Sequence, residues 1–143
     1  LEEEKIKMVT LTIQYSGNKN CILTHEPSLA TLETDAPKDN HGKGESFSPT
    51  DLVAASLISC MLTTMAIKGE PLGYHFNGCY GKVTKEMNAD PRRIKKLSTE
   101  LHLKKDFDSE QKNFLENVAM GCPVKLSLHP EVIVSATFIY DLE

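Results

Sequence analysis

Tryptophan is absent from this 143-residue chain, arginine is confined to the adjacent pair Arg92 and Arg93, and no long basic run occurs. Sixteen basic residues stand against 20 acidic ones, for a net charge of −4. Such a chain has no obvious electropositive stripe to hold a phosphate backbone. Its lysine pairs, Lys95–Lys96 and Lys104–Lys105, bracket a predicted strand and read as solvated charge. Nucleic acid is therefore not an expected partner. A long hydrophobic run is missing too. The longest uncharged stretch, Leu52 to Ile67, has 16 residues and includes Ser56, Ser59, Thr63 and Thr64. A membrane span takes about 20 mainly apolar residues, so this stretch reads as a core helix and no membrane association is expected. The opening "LEEEKIKMVTLTIQY" lacks the basic start and apolar centre of an export signal, and the expected location is the cytoplasm. There is no internal repeat, linker or low-complexity tract, and residues 1–143 are expected to form one domain. The GKG at 42–44 lacks P-loop spacing, and the five histidines show no ligand spacing such as HxxxH. A zinc site from Cys60, Cys122 and a histidine is a minor alternative, and no metal or cofactor is expected.

What is present is enough apolar residue, 40% of the chain, to build a core without disulfide staples. Val9, Leu11, Ile13 and Tyr15 alternate with polar residues, which predicts a half-buried strand. "SGNKN" at 16–20 is turn chemistry, "CILTH" continues as a second strand, and "LATLET" suggests a third. A polar loop fills 35–46. Ser48 then predicts a helix N-cap, with Pro49 in the first turn, Asp51 at the third position and Phe47 and Leu52 placed as a hydrophobic staple. Gly69 predicts its end. Apolar residues occur all round this helix, as in a helix buried on most sides. A chain this short can hardly wrap it so fully, which implies cover from a second copy. Residues 73–87 and 94–105 read as strands joined by a turn, with Leu97, Thr99, Leu101 and Leu103 on one face. Asp108 and Gln111 predict a second capped helix ending at Gly121. "CPVKLSL" reads as a short third helix, and "EVIVSATFIY" as a last strand. The fold class is α+β, with helices packed on antiparallel sheet.

Four cysteines, Cys21, Cys60, Cys79 and Cys122, are expected mainly reduced in a cytoplasmic chain, and any disulfide among them is more readily redox-active than structural. Taken by their surroundings alone, they divide. Cys122 precedes Pro123 at a helix start, where the dipole and free N–H groups favour thiolate. Cys60 lies well inside an apolar helix, where burial raises a thiol pKa, and reads as a core residue. Ser56 and Thr64, one turn either side, offer it hydroxyl contacts, or bond their own helix backbone instead. Cys21 and Cys79 fall in predicted strands as packing or surface thiols. Met61 and Met65 read as core filler. Tyr74, Phe76 and Tyr80 read as strand-face packing, with a pocket mouth as the alternative.

"SPTDLVAASLISCMLTTM", followed 62 residues after its cysteine by "GCPVKLSL", resembles the OsmC/Ohr family of osmotically inducible and organic hydroperoxide resistance proteins. The shared pattern is a Pro-initiated, Ala-rich central helix carrying one cysteine and a later Cys-Pro opening a short helix. The order of strands also fits, so the resemblance spans nearly the whole chain. It implies an intertwined α+β homodimer, antiparallel sheets around a buried central helix, and two active sites at the subunit interface. It implies that Cys60 is peroxidatic and Cys122 resolving, that an organic hydroperoxide is the substrate, that an external thiol is the reductant, and that no cofactor is needed. The chain departs from the family pattern at two positions. A hairpin arginine that supports the peroxidatic thiolate has only Lys19 in its place, and the glutamate that holds that arginine is replaced by Thr50, with Asp51 beside it. Lys cannot reproduce the two-pronged arginine contact. Lys19, Thr50 and Asp51 are the candidate substrate-side residues. Two other readings remain open: a binding or sensing protein on the same fold with an apolar interface pocket, and a non-redox dimer with structural cysteines.

Overall fold

The computed structural model describes residues 8–143, and the chain divides into two compact units, the first ending at Thr50 and the second running from Asp51 to Glu143. The first unit holds a three-stranded antiparallel sheet in the order β1-β2-β3, from β1 (Leu11–Gly17), β2 (Asn20–His25) and β3 (Ala30–Asp35). The expected turn joins β1 to β2. Gly17, Asn18 and Lys19 all have positive φ, at 93°, 54° and 64°, which suits the twist of a tight hairpin. Leu11, Ile13 and Tyr15 share a face with Leu23 and Leu32 through the strand register. The expected half-buried strand is instead open. Leu11, Ile13, Tyr15 and Leu32 are 54–59% exposed. Thr34 and Asp35 are buried at the other end, where Asp35 Oδ2 accepts the Glu45 N–H at 3.1 Å.

The second unit is built on α1 (Pro49–Gly69), which begins two residues inside the first, and on a sheet in the order β4-β5-β6. Its strands are β4 (Tyr80–Ala89), β5 (Arg92–Lys104) and β6 (Ile133–Leu142). Between β5 and β6 lie α2 (Ser109–Met120) and α3 (Pro123–Ser127). The α2 cap is as expected: Asp108 accepts the Gln111 N–H at 2.8 Å while Gln111 Oε1 accepts the Asp108 N–H at 2.9 Å. Two expectations are corrected. Residues 73–79 are not strand; Gly73 and Gly78, at φ 87° and 84°, bend the chain before β4 starts. The sheet is also not wholly antiparallel. β4 and β5 are antiparallel, but β6 runs parallel to β5, since the two helices carry the chain back to the same end of the sheet.

The core lies between α1 and β5. Leu57, Met61 and Met65 on α1 and Leu97, Leu101 and Leu103 on β5 are all completely buried. Met61 and Met65 are the core filler expected of them. Phe107 gathers Tyr74, Phe76 and Tyr140 at ring separations of 5.6, 6.0 and 6.3 Å. Gly81 lets β4 approach the helix: a Cβ there would lie 2.3 Å from Ile58 Cδ1. The buried face of α1 is narrower than its composition suggests, for Ser59, Thr63 and Ile67 are exposed. Together with the short turn that follows it, the segment Pro49–Leu72 is long and apolar enough to cross a membrane by length and composition. Its buried side chains nonetheless give it the packing of a core helix.

Candidate functional site

Just past the middle of α1, Cys60 turns partly inward, half-buried against the core. Cys122 comes from the junction of α2 and α3. Gly121 closes α2, and Pro123 opens α3 with a φ that suits its first turn. Cys122 is thereby the N-cap of α3, and its Sγ accepts the Lys125 N–H at 3.5 Å. The residue is completely buried. All four cysteines are free thiols, and Cys60 stands near enough to Cys122 to raise its pKa. Residues 62 positions apart in sequence are thus neighbours in the fold.

The environment of Cys122 reverses the expectation from its helix start. Burial pushes its thiol pKa up, the Lys125 N–H pulls it down, and the hydrogen bond and charge of Cys60 push it up again. A single turn of helix supplies too small a dipole to offset full burial. Of the two hydroxyls flanking Cys60 on α1, Ser56 turns away and donates to Val53 O at 2.7 Å. Thr64 Oγ1 instead lies 3.8 Å from Cys60 Sγ.

The other candidates are placed elsewhere. Asp51 forms an ion pair with Lys85 on β4, at 2.8 Å. The Thr50 hydroxyl bonds that of Ser48 at 3.2 Å. Both stand about 14 Å along the helix axis from Cys60 of the same chain, at 1.5 Å per residue. Lys19 is exposed on the hairpin of the first unit, and its backbone N–H donates to Tyr15 Oη at 3.1 Å. Arg93 pairs with Glu131 at 3.4 Å and donates to Ile94 O at 3.0 Å. Cys21 lies in β2 as expected, while Cys79 stands one residue ahead of β4, its pKa raised by burial and lowered by the Lys104 N–H and charge. Among the described residues, no group of three or more His, Cys, Asp or Glu is placed to hold a metal.

Two further features escaped the sequence reading. The Lys85–Asp51 pair joins a strand to a helix start, a contact for which local spacing offers no signal. His102 lies between two carboxylates, with Nε2 3.0 Å from Glu100 and Nδ1 3.0 Å from Asp141, and stacks on Tyr80 at 4.5 Å. Only the Glu100–His102 alternation on β5 was visible beforehand. A cavity of about 340 Å³ opens beside this sheet, lined by Tyr74, His75, Lys104, Asp106, Phe107 and Gln111 among others. In the first unit a polar cavity of about 250 Å³ is lined by Asn18, Asn20, Asp35, Lys43 and Glu45 among others. Neither contains Cys60 or Cys122.

The family model for OsmC-like protein matches residues 42–137. A crystal structure from Psychrobacter arcticus 273-4, named as a candidate osmotic stress induced and detoxification response protein, is 38% identical over 95% of this chain and 99% of its own, with a TM-score of 0.88. The organic hydroperoxide resistance protein OsmC of Legionella pneumophila shares the fold at 17% identity, over 95% of this chain and 99% of its own, with a TM-score of 0.72. The organic hydroperoxide resistance protein OhrB of Bacillus subtilis does so at 17% identity, over 94% and 99%, with a TM-score of 0.67. A comparison with curated proteins finds no match.

Proposed function

We infer the chemistry from a fixed premise, that the chain belongs to the OsmC-like protein family: it is a thiol peroxidase that reduces organic hydroperoxides in defence against oxidative stress. One observation carries this reading: the two thiols are neighbours, and of the two only Cys60 is accessible. A peroxide can reach Cys60; Cys122, fully covered, can reach only Cys60. In the first step the Cys60 thiolate attacks the peroxide oxygen, the O–O bond breaks, and the alkoxide leaves as alcohol with a proton. Cys60 becomes a sulfenic acid. In the second, the Cys122 thiolate attacks the Cys60 sulfur and water leaves, forming the disulfide. An external dithiol then restores both thiols. Neither step draws on a metal or an organic cofactor.

The same reading makes the active unit a cytoplasmic homodimer. The apolar stripe Leu11, Ile13, Tyr15 and Leu32 and the open side of α1 are surfaces that a second copy would cover. Burial between copies would also supply the apolar approach that favours an organic peroxide over hydrogen peroxide. Lys19, Thr50 and Asp51 act on the substrate side, where sites at a subunit interface draw residues from both chains. The test is consumption of cumene hydroperoxide by reduced protein with a dithiol. Wild type should turn over and Cys60→Ser should be inert. Equal consumption by the two sinks the assignment.

The absent arginine and the threonine at position 50 favour a second reading, an OsmC-like protein that binds or senses an apolar ligand at the dimer interface. Protein purified with a bound fatty acid, and inert to peroxide, would support it.

A further inference from the structure

A thiol that reacts with peroxide near neutral pH must be ionised, and an anion half-buried in a core needs partners. Two groups stand beside Cys60: the Thr64 hydroxyl, 3.8 Å from its Sγ on the next turn of α1, and the Cys122 thiol at the α2–α3 junction, whose pKa Cys60 raises. The first contact follows from helix geometry, which sets residues four apart on one face. The second follows from the cap. With the Lys125 N–H held on its sulfur at 3.5 Å, Cys122 is oriented and keeps its own proton free to donate.

We propose that Thr64 and Cys122 together are the hydrogen-bond donors that hold Cys60 as a thiolate, in place of a cationic side chain. A thiolate has no proton, so both partners must donate to it; hydrogen bonds to a charged acceptor are the stronger kind. Thr64 touches the reacting sulfur and is a catalytic residue in this scheme. Cys122 has two successive roles. While Cys60 is an anion, Cys122 stays protonated, since the neighbouring charge and hydrogen bond both raise its pKa. Once Cys60 is a sulfenic acid the anion is gone, and with it both of those effects. Cys122 then ionises more readily and attacks. Oxidation of the first thiol thus prepares the second, which orders the two steps without a moving part.

The inference rests on the peroxidase reading, but its test does not need turnover. The rate of Cys60 alkylation by iodoacetamide is followed against pH by mass spectrometry of the Cys60 peptide, with Cys122 as the titratable neighbour facing it. Thr64→Val keeps the shape and removes the donor. It should move the Cys60 ionisation upward and slow alkylation at pH 7 by about tenfold, the size expected for one hydrogen bond to a charge. Thr64→Ser should restore the wild-type profile. Cys122→Ala should also move it upward, and Cys122→Ser much less, because the hydroxyl still donates. Unchanged profiles in Thr64→Val and Cys122→Ala would overturn the proposal, whatever the peroxide assay gives. Shifted profiles in a protein that consumes no peroxide would keep the donor pair and remove the peroxidase reading.

Discussion

Single residues decide both the chemistry and the tightness of the core. Cys60 and Cys122 were legible in sequence as a pair through the resemblance to the OsmC/Ohr family; by its surroundings alone, Cys60 read as a core residue. Their local surroundings pointed to Cys122 as the more reactive thiol, and the resemblance to Cys60. The order of reaction depends on burial and on the partner sulfur, and full burial of Cys122 outweighs its place at a helix start. Thr64 stood out only as one of two flanking hydroxyls; the choice between it and Ser56 is a choice of rotamer. Gly81 was invisible, since the constraint on it comes from Ile58 on another element. A Cβ at 81 would also stand 3.0 Å from Glu100 O, a backbone atom that cannot move aside cheaply. Gly81→Ala should therefore lower stability by about 1–3 kcal/mol, the usual cost of overpacking. The denaturant midpoint measures it, and an unchanged midpoint would show that β4 can shift away from α1.

At the scale of elements, periodicity and capping located nearly all helices and strands, and the Asp108–Gln111 box behaves as its sequence says. The direction of β6 was not readable, because pairing of distant strands depends on how α2 and α3 carry the chain back. That crossover sets β6 beside β5 and so creates the Glu100–His102–Asp141 cluster across two strands, with Tyr80 stacked from a third. With both ring nitrogens facing carboxylates, the cluster favours the protonated ring. Its pKa is raised, first by the Glu100 hydrogen bond and then by that of Asp141. A group whose folded pKa lies above its unfolded one stabilises fully below the unfolded value, about 6.5 for histidine. That contribution is lost as pH rises through the folded value. The thermal stability of wild type should accordingly fall relative to His102→Gln as pH rises above about 6.5. Parallel pH curves for the two proteins would remove the cluster from the account.

On the scale of the whole molecule, composition and charge made nucleic acid an unexpected partner, while the over-apolar central helix pointed to a second copy. Ser59, Thr63 and Ile67 of α1 are exposed in the second unit, and Leu11, Ile13, Tyr15 and Leu32 in the first, two surfaces that composition could not locate. Light scattering should give about twice the 15.9 kDa of one chain, and a monomer at micromolar concentration would count against an interface site. The central claim is that Cys60 and Cys122 form one redox centre. Its most direct test is peptide mapping of fully reduced protein after one equivalent of cumene hydroperoxide, with Cys60→Ser alongside. The account predicts a Cys60–Cys122 disulfide in wild type and intact peroxide in the variant. Unmodified Cys60 beside unconsumed peroxide would contradict it and leave ligand binding as the function of the fold.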